Sequence, residues 1–495
     1  MQSQPADRVP ARLRLWSLSE DVLVEVGPDG DHLVAFTQWG EIRIDDAGPL
    51  VRESLLRMSL GPVSVENLPI LRESFRLWQS GRTDESAEPW YALKRVLERL
   101  GSCVVQSLGL DDEAGPVLSV APVARQARFW LPPKVDPDRP LRLSRFVTQR
   151  AVNGELVMES PVTQYRVVLH RPLAAWVVGS LGSPMTIAEL SALLKVAEPV
   201  LEDIVSYLLA SGVVLAGEPG SPVVFAEDDD PDLVPWAHHD LQFHARSRMG
   251  RYGGQAGPVF PHLDRLPAAP VTKPRSEGLR YPLYRPAIAD LVAADPPLTE
   301  VIEVSRSYRD YSERPVTAEE LGELLYRVAR IRSTESASAP VEATYTVSDR
   351  PYPSTADLYE LELYLSIDRC AGLPRGNYHY DPREHHLTLV TDAESDLGEM
   401  LDIAKVAAGS TQRPPVLITV TTRIARLSWM YSGIAYATTL KHVGALQQTL
   451  HLVATAMGLA STALAVGDGA VADQALRLGW PTEVSVGEFL VGVRR

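Results

Sequence analysis

The sequence predicts an α+β protein: two small winged-helix-like units, a connector, and a larger C-terminal domain of layered helices and sheet. Three observations carry this reading. The chain has 495 residues, too many for one hydrophobic core. Its first third contains a duplicated pattern, and its final portion alternates helical with strand periodicity.

The duplication lies in pattern more than identity. SLGPVSVENL (59–68) and SLGSPMTIAEL (180–190) each read as a turn followed by a helix start. Upstream, GDHLV (30–34) parallels GELV (154–157). Downstream, LERLGSCVV (97–105) parallels SYLLASGVV (206–214), a helix closing on a small residue before a β-branched pair. Residues 1–110 and 138–217 are therefore expected as two winged-helix-like units. The stretch 189–210 carries one cation, Lys195, against Glu189, Glu198, Glu202 and Asp203, which disfavours DNA reading. The sheet edge of such a unit can accept an extended peptide, and a purely structural module fits equally.

Residues 218–297 read as a connector, with an acidic run at 227–230 followed by many Pro and Gly. Within it, WAHHDLQFHARSRMGR (236–251) predicts a helix that packs its Trp and Phe on a neighbour. His238, His239 and His244 have no carboxylate or Cys at a recognised ligand spacing, so no metal site is expected.

The region 298–495 opens with a short helix after Pro297. TAEELGELLYRV (317–328) then places Thr317 and Glu320 as a capping box, with Leu321, Leu324, Leu325 and Val328 on one face. Strand patterns occupy 361–365, 386–390 and 416–421. A long helix carries Val443, Leu446, Leu450, Val453, Ala454 and Met457 on one stripe and ends at Gly458, and an apolar strand closes the chain at 484–493. The tract 450–466 is too short and polar to span a bilayer, and reads as a buried helix end with the turn after it.

Lys plus Arg (48) against Asp plus Glu (63) leaves a net charge of −15, so nucleic acid and acidic membrane are not expected partners. Cys103 and Cys370 are the two cysteines, which excludes a disulfide framework and fits a reducing cytoplasm. No secretory signal is visible in MQSQPADRVP.

Two segments have the residue types of an anion and ring site. SRSYRDY (305–311) offers Arg306 and Arg309 around the Ser307 hydroxyl, donors that suit a phosphate dianion; a solvated basic turn explains the same residues. PSTADLYELELYL (353–365) sets small side chains in a turn before a strand, where backbone amides can approach a flat ring.

Together these segments resemble the nitroreductase superfamily of FMN enzymes, and within it the peptide dehydrogenases that oxidise thiazolines and oxazolines to thiazoles and oxazoles. SRSYRDYSERPVTAEELGELL is similar to a family stretch R-R-S-x-R-x-F before a helix, and PSTADLYELELYL to P-S-A-G-A-L-Y-P-L-E-L-Y. GLPRGNYHYDPREHHLTL (372–389) resembles G-L-P-x-G-x-Y-H-Y-D-P-x-x-H-x-L, and LRLGWPTEVSVGEFLVGV (476–493) and the 236–251 segment are also similar to family stretches. The resemblance runs from about residue 236 to the C-terminus, and the two N-terminal units resemble the family's peptide-clamp domains. It implies FMN held by Arg306, Ser307, Arg309, Pro353, Ser354, Thr355, Ala356, Gln448, Val466, Gly467 and Arg494, with Arg495 a further candidate. It also implies a homodimer with the 443–457 stripe as a candidate contact, a precursor peptide bound through leader and core, a cyclodehydratase partner, and oxygen as the oxidant of reduced flavin.

The departures carry information of their own. Ser305 stands where the family has a first phosphate-binding Arg, Thr355-Ala356-Asp357 replaces A-G-A, and Glu360 replaces Pro. WMYSG (429–433) replaces W-K-Y-G, whose Lys-Tyr pair is implicated in proton removal. Tyr431 remains as the catalytic candidate beside Met430, which cannot take a proton; His379, read as a residue near a turn, and Asp357 are substitutes. Met430 leaves two alternatives open: a flavin-dependent reductase of dehydroamino acids in a peptide, and a catalytically silent leader-binding scaffold.

Overall fold

The computed structural model describes residues 9–28, 32–45, 47–82, 85–132, 134–248, 250, 254, 257–274 and 277–495. Gly30 and Asp31 of the first duplicated motif, and Met249 and Arg251 of the connector helix segment, lie outside the described residues. The chain divides into two compact units, Met1–Gln255 and Ala256–Arg495. Among the described residues no helix is long and apolar enough to cross a membrane.

In the first unit, both duplicated stretches feed one six-stranded antiparallel sheet. Its strands are β1 (Arg12–Leu18), β2 (Val104–Leu110), β3 (Pro116–Pro122), β4 (Thr148–Val152), β5 (Glu155–Glu159) and β6 (Tyr165–Leu169), in the order β1-β2-β3-β6-β5-β4. Helices α1 (Pro49–Leu60), α2 (Pro69–Gln79) and α3 (Glu88–Arg99) bury Leu55, Leu71, Phe75 and Leu93 in one core with Trp16 of β1. Helices α4 (Pro172–Ser180), α5 (Ile187–Leu194) and α6 (Glu198–Ala210) bury Val177, Leu190, Leu201 and Ile204 in a second. The α5 start is fixed by Thr186, whose side chain accepts from the Glu189 amide while Glu189 reaches back to the Thr186 amide. The helix His238–Arg246 forms within the predicted segment; the Trp236 ring lies 5.9 Å from that of His244, and Trp236 and Phe243 are 40% and 39% exposed. Ala245 is its buried residue.

The second unit is a seven-stranded antiparallel sheet covered on both faces. Its strands are β7 (Arg280–Pro282), β8 (Leu361–Ile367), β9 (Gly376–Asp381), β10 (His386–Thr391), β11 (Val416–Arg423), β12 (Leu459–Leu464) and β13 (Glu483–Val493), ordered β7-β10-β9-β8-β11-β13-β12. The helices bearing on the site are α7 (Ile288–Ala294), α8 (Leu298–Val304), α9 (Ala318–Ala329), α10 (Glu394–Ala408) and α11 (Ala435–Ala456). Strand periodicity decides the layering: Leu361, Leu363, Leu365 and Ile367 face a core shared with Leu321, Leu324 and Leu325 of α9 and Leu446 and Leu450 of α11. Tyr364, on the other face, packs with Leu397 and Leu401 of α10 and Leu417 and Leu490 of the sheet.

Two expectations change here. The tract 450–466 holds the end of α11 and then strand β12, not a turn; Gly458 at φ 70° makes the break. Ser461 and Thr462, which read as interruptions, are buried on that strand with their hydroxyls bonded, Ser461 to His451 at 2.9 Å and Thr462 to the Tyr308 carbonyl. The Val443, Leu446, Leu450 and Ala454 stripe is buried in the unit's own core, and so is not a surface for another chain. The exposed row of α11 runs instead through Tyr436, Leu440, Gly444 and Gln448.

Candidate functional site

Strands β8 and β11 place charges where a sheet covered on both faces normally has none. Glu362 is 2% exposed; its carboxylate lies 2.8 Å from Arg423 Nε and 3.1 Å from His379 Nε2. Burial pushes this carboxyl up, but the His379 hydrogen bond and the Arg423 charge outweigh it and bring it down to about 2. His379 is thus a mid-strand partner of Glu362, not a residue near a turn. Glu483 accepts from Thr421 Oγ1 at 2.7 Å and meets Lys273 Nζ at 2.5 Å, and the same ammonium lies 2.5 Å from Tyr364 Oη.

The spare donors of the buried arginines grip a strap of main chain at 269–273. Arg426 Nη1 donates to the Ala269 carbonyl at 2.7 Å, and Arg423 Nη1 to that of Pro270 at 2.7 Å. The Val271 carbonyl accepts from Arg423 and Arg350, both at 3.2 Å. Burial, then the neighbouring Arg423 charge, lowers the Arg426 guanidinium to about 10.

The same arginine layer orders the 353–359 loop, since Arg426 Nε donates to the Leu358 carbonyl at 2.9 Å. Ala356, Asp357 and Tyr359 all sit in the left-handed region, at φ 52°, 54° and 46°. Each such non-glycine residue costs about 1–3 kcal/mol and persists where the surroundings over-determine it. Here the Tyr359 amide donates to Ser354 Oγ at 3.0 Å, and the Tyr359 hydroxyl to the Tyr352 carbonyl at 2.8 Å.

Behind the loop stands His442 of α11. Its Nε2 accepts from the Thr355 amide at 2.9 Å and lies 3.0 Å from Thr355 Oγ1, so Nδ1 carries the proton and donates to Glu360 Oε1 at 2.8 Å. Glu360 is fully buried, and its Oε2 has no hydrogen-bond partner. Glu360 therefore points into the core, and the Thr355 amide that the sequence offered to a flat ring is used by His442. Thr355, Pro353, Ala356 and Asp357 are exposed, and Ser354 is half-buried.

Arg306, Ser307 and Arg309 follow α8 on an exposed segment. The segment is fixed by the Tyr308 amide donating to the Ser461 carbonyl at 3.0 Å and by Ser410 Oγ donating to the Arg309 carbonyl at 3.0 Å. Arg494 is partly committed: it donates to the Leu459 and Thr455 carbonyls, both at 3.1 Å, and stacks 5.1 Å from the Tyr308 ring; Arg495 is exposed. Val466 and Gly467 lie on the exposed loop after β12, lining a cavity of about 300 Å³ with Gln447, Gly487 and Glu488. A Cβ on Gly467 would lie 2.2 Å from Glu488 Oε1, so a larger residue there makes the Glu488 carboxylate swing aside. Burial raises the Glu488 carboxyl. Gln448 is exposed one residue further along α11.

The structure thus gathers the candidates into three groups along α11, one at His442, one at Gln447 and Gln448 with Val466 and Gly467, and one reaching Thr455 through Arg494, the outer two separated by roughly 20 Å of helix. Tyr431 and Met430 belong to none of them. Met430 is 2% exposed in an apolar cluster with Leu358, Leu427 and Trp429, and its carbonyl accepts from the Val259 and Phe260 amides at 2.9 and 3.0 Å. The Tyr431 phenol is raised by burial and then by Tyr345, the direction opposite to that a base requires. Glu362, Arg423, Arg426, Glu483 and His442 escaped the sequence reading. Their signal was charge inside otherwise apolar strand runs, YELELYL and ITVTTR, and a His on the apolar side of a long helix.

Residues 302–493 match the nitroreductase family model. They are a nitroreductase-family domain. Residues 141–253 match a second model, described as cyanobactin oxidase ThcOx. MJ1384 of Methanocaldococcus jannaschii, a candidate nitroreductase, is 26% identical over 184 residues, 36% of this chain and 82% of its own. A nitroreductase-type crystal structure from Ralstonia eutropha JMP134 aligns at 17% identity and a TM-score of 0.35, covering 46% of this chain and 99% of that one. A chain of the Escherichia coli microcin synthetase McbBCD complex, solved with truncated pro-MccB17, aligns at 17% identity and a TM-score of 0.32, covering 54% and 94%.

The Glu362 carboxyl is held below its ordinary value of 4.5, so the stability it contributes is complete above that pH and is lost as pH falls towards about 2. Glu362→Gln leaves Arg423 buried without its counter-charge and is expected to destabilise by about 3–5 kcal/mol at pH 7. Urea unfolding at pH 7 and pH 3 checks this: the gap between wild type and variant narrows at pH 3, and an unchanged gap contradicts it.

Proposed function

We propose that this oxidase aromatises thiazoline and oxazoline rings in a ribosomally made peptide, with FMN as the hydride acceptor and His442 as the group that receives the ring proton. The residues fit the cofactor. Arg306 and Arg309 are exposed guanidiniums with no carboxylate partner among the described residues, and with Ser307 between them they are free to hold a phosphate dianion. The 353–356 loop supplies an exposed, rigid edge for the ring. When bound, FMN accepts the hydride lost from the five-membered ring.

The observation that carries the proposal is the Glu360–His442–Thr355 relay. Glu360 and Thr355 occupy two of the positions at which the chain departs from the resemblance, and both converge on one imidazole, while Met430 is sealed in an apolar cluster. A proton leaving the ring reaches His442 Nε2 through Thr355 Oγ1, and the Thr355 amide gives up its hydrogen bond to that nitrogen as the proton arrives. Glu360, lacking any other hydrogen bond at its second oxygen, stabilises the imidazolium so formed. The azoline must be made beforehand by a cyclodehydrating enzyme, and the first unit serves as the clamp for the peptide.

The second copy implied by this reading has a surface to meet. The exposed row Tyr436, Leu440, Gly444 and Gln448 lies on α11, and α7 and α8 expose Ile288, Val292, Leu298 and Ile302, by 43% to 78%. Such a run of apolar side chains on three helices marks an association surface. A homodimer formed there brings the phosphate-holding segment of one copy to the 353–356 loop of the other.

Purified protein is expected to take up FMN and turn yellow. Arg306→Ala and Arg309→Ala each weaken FMN binding by about tenfold to a hundredfold, measured by fluorescence titration. His442→Gln keeps the flavin spectrum but lowers azoline oxidation by about 10²–10⁴-fold. A chain that takes up no FMN, or His442→Gln turning over at the wild-type rate, contradicts the proposal.

A further inference from the structure

The first unit contains a cavity of about 650 Å³ between β1, α3 and the 128–132 segment, a volume in the range of ligand pockets. Its walls combine indole rings with cations. Trp78 and Trp90 lie 5.5 Å apart, and the Lys94 ammonium stands 5.1 Å from the Trp130 ring, which is itself 58% exposed. Trp90 is 3% exposed, and its Nε1–H has no hydrogen-bond acceptor. Buried indole N–H groups nearly always find one.

The cations are not balanced from within. Arg12 pairs with Asp203 at 2.6 Å and Lys94 with Glu98 at 3.3 Å. Arg14 makes no ion pair of its own among the described residues, feeling only the Asp203 charge that Arg12 already holds, and its Nε is buried without an acceptor. Arg128 donates to the Ala127 and Arg125 carbonyls, at 2.7 and 3.5 Å, and to no carboxylate. Burial, then the neighbouring Arg12 charge, lowers the Arg14 guanidinium, as expected of a cation short of counter-charge. One carboxylate, Asp203, serves both Arg12 and Arg14, and Arg128 has none among the described residues, so this cavity holds an excess of guanidinium charge that suits an anion from outside.

The backbone beside the cavity adds direction. Strand β1 is the terminal strand of its sheet and pairs with β2. Trp16 turns its main chain the other way, exchanging two 2.9 Å hydrogen bonds with Val63. By the two-residue period of a strand, Arg12 and Arg14 present their amide and carbonyl along that same free edge, and their side chains share the cavity face with Trp16. Val63 thus begins a line of pairing that Arg14 and Arg12 leave unfinished.

We propose that this cavity binds an extended acidic peptide that pairs with the free edge of β1 at Arg12 and Arg14 and inserts alternate side chains, a carboxylate onto Arg14 and Arg128 and an aromatic ring among Trp78, Trp90 and Trp130. The inference rests on the reading of the first unit as the peptide clamp and specifies what that clamp selects. Alternation supplies the selectivity: the residues at i and i+2 enter the cavity, and those between face away.

The test uses the full chain and three synthetic probes, followed by tryptophan fluorescence and calorimetry without added flavin. The probes are acetyl-Phe-Thr-Glu-Thr-Phe-amide, its Lys-for-Glu counterpart, and phenylacetate. The acidic peptide is expected to bind and to weaken as salt rises, the Lys peptide to bind at least tenfold more weakly, and Arg14→Gln and Arg128→Gln each to weaken the acidic peptide by about tenfold to a hundredfold. Circular dichroism melts of the two variants, matching wild type, exclude loss of fold as the cause. Equal binding of the acidic and basic peptides, phenylacetate binding as tightly as the peptide, or unaltered affinity in both variants overturns the proposal. Because no turnover is read, a failure here leaves ring oxidation standing, and a failure of ring oxidation leaves this binding untouched.

Discussion

Three buried carboxylates of the second unit, Glu360 just before β8, Glu362 on it and Glu483 on β13, are the constraint on which the unit depends. A carboxylate withdrawn from water costs several kcal/mol unless charge and hydrogen bonds compensate it in place. Each finds a different partner set: His442 for Glu360, Arg423 and His379 for Glu362, Lys273 and Thr421 for Glu483. The cations recruited for this have donors to spare, and these hold the 269–273 strap and the 353–359 loop. Breaking one pair therefore loosens main chain well beyond it.

This arrangement explains how a strained loop persists without glycine. Three consecutive or near-consecutive residues at positive φ would open an unsupported turn, yet Arg426, Ser354 and Tyr359 pin its carbonyls and amides from inside. The loop is thereby held rigid against His442. Rigidity at that point matters for the proposed proton transfer, which demands hydrogen-bond reach between donor and acceptor. The segment that carries Arg306, Ser307 and Arg309 is anchored separately, through Ser461 and Arg494, at the far end of the same helix.

Much of the fold was legible in the sequence because it follows from periodicity. The Thr317–Glu320 capping box, the long helix ending at Gly458, and the strands beginning at Leu361, His386 and Val416 are all local patterns that the structure realises. What escaped was non-local. Glu360 lies 82 positions from His442, and Arg423 accompanies Glu362 only because β8 and β11 are neighbours, so no spacing rule connects them. The polar Ser461 and Thr462 looked like breaks in an apolar tract because their hydrogen-bond partners are on other elements. Met430 was read as a lost catalytic position; its side chain packs in the core, where a thioether fills space among Leu358, Leu427 and Trp429.

The central claim is that one chain holds two separated arms of a flavin site and that two copies complete it. Co-expression of an Arg306→Ala/Arg309→Ala chain with an Ala356→Trp chain, each differently tagged, isolates the mixed dimer, whose bound FMN is then counted by absorbance. A site shared between copies leaves one intact site of two, about half the wild-type FMN content. A mixed dimer that holds no FMN, while both wild-type sites are filled, would show that each site lies within one chain and contradict the account.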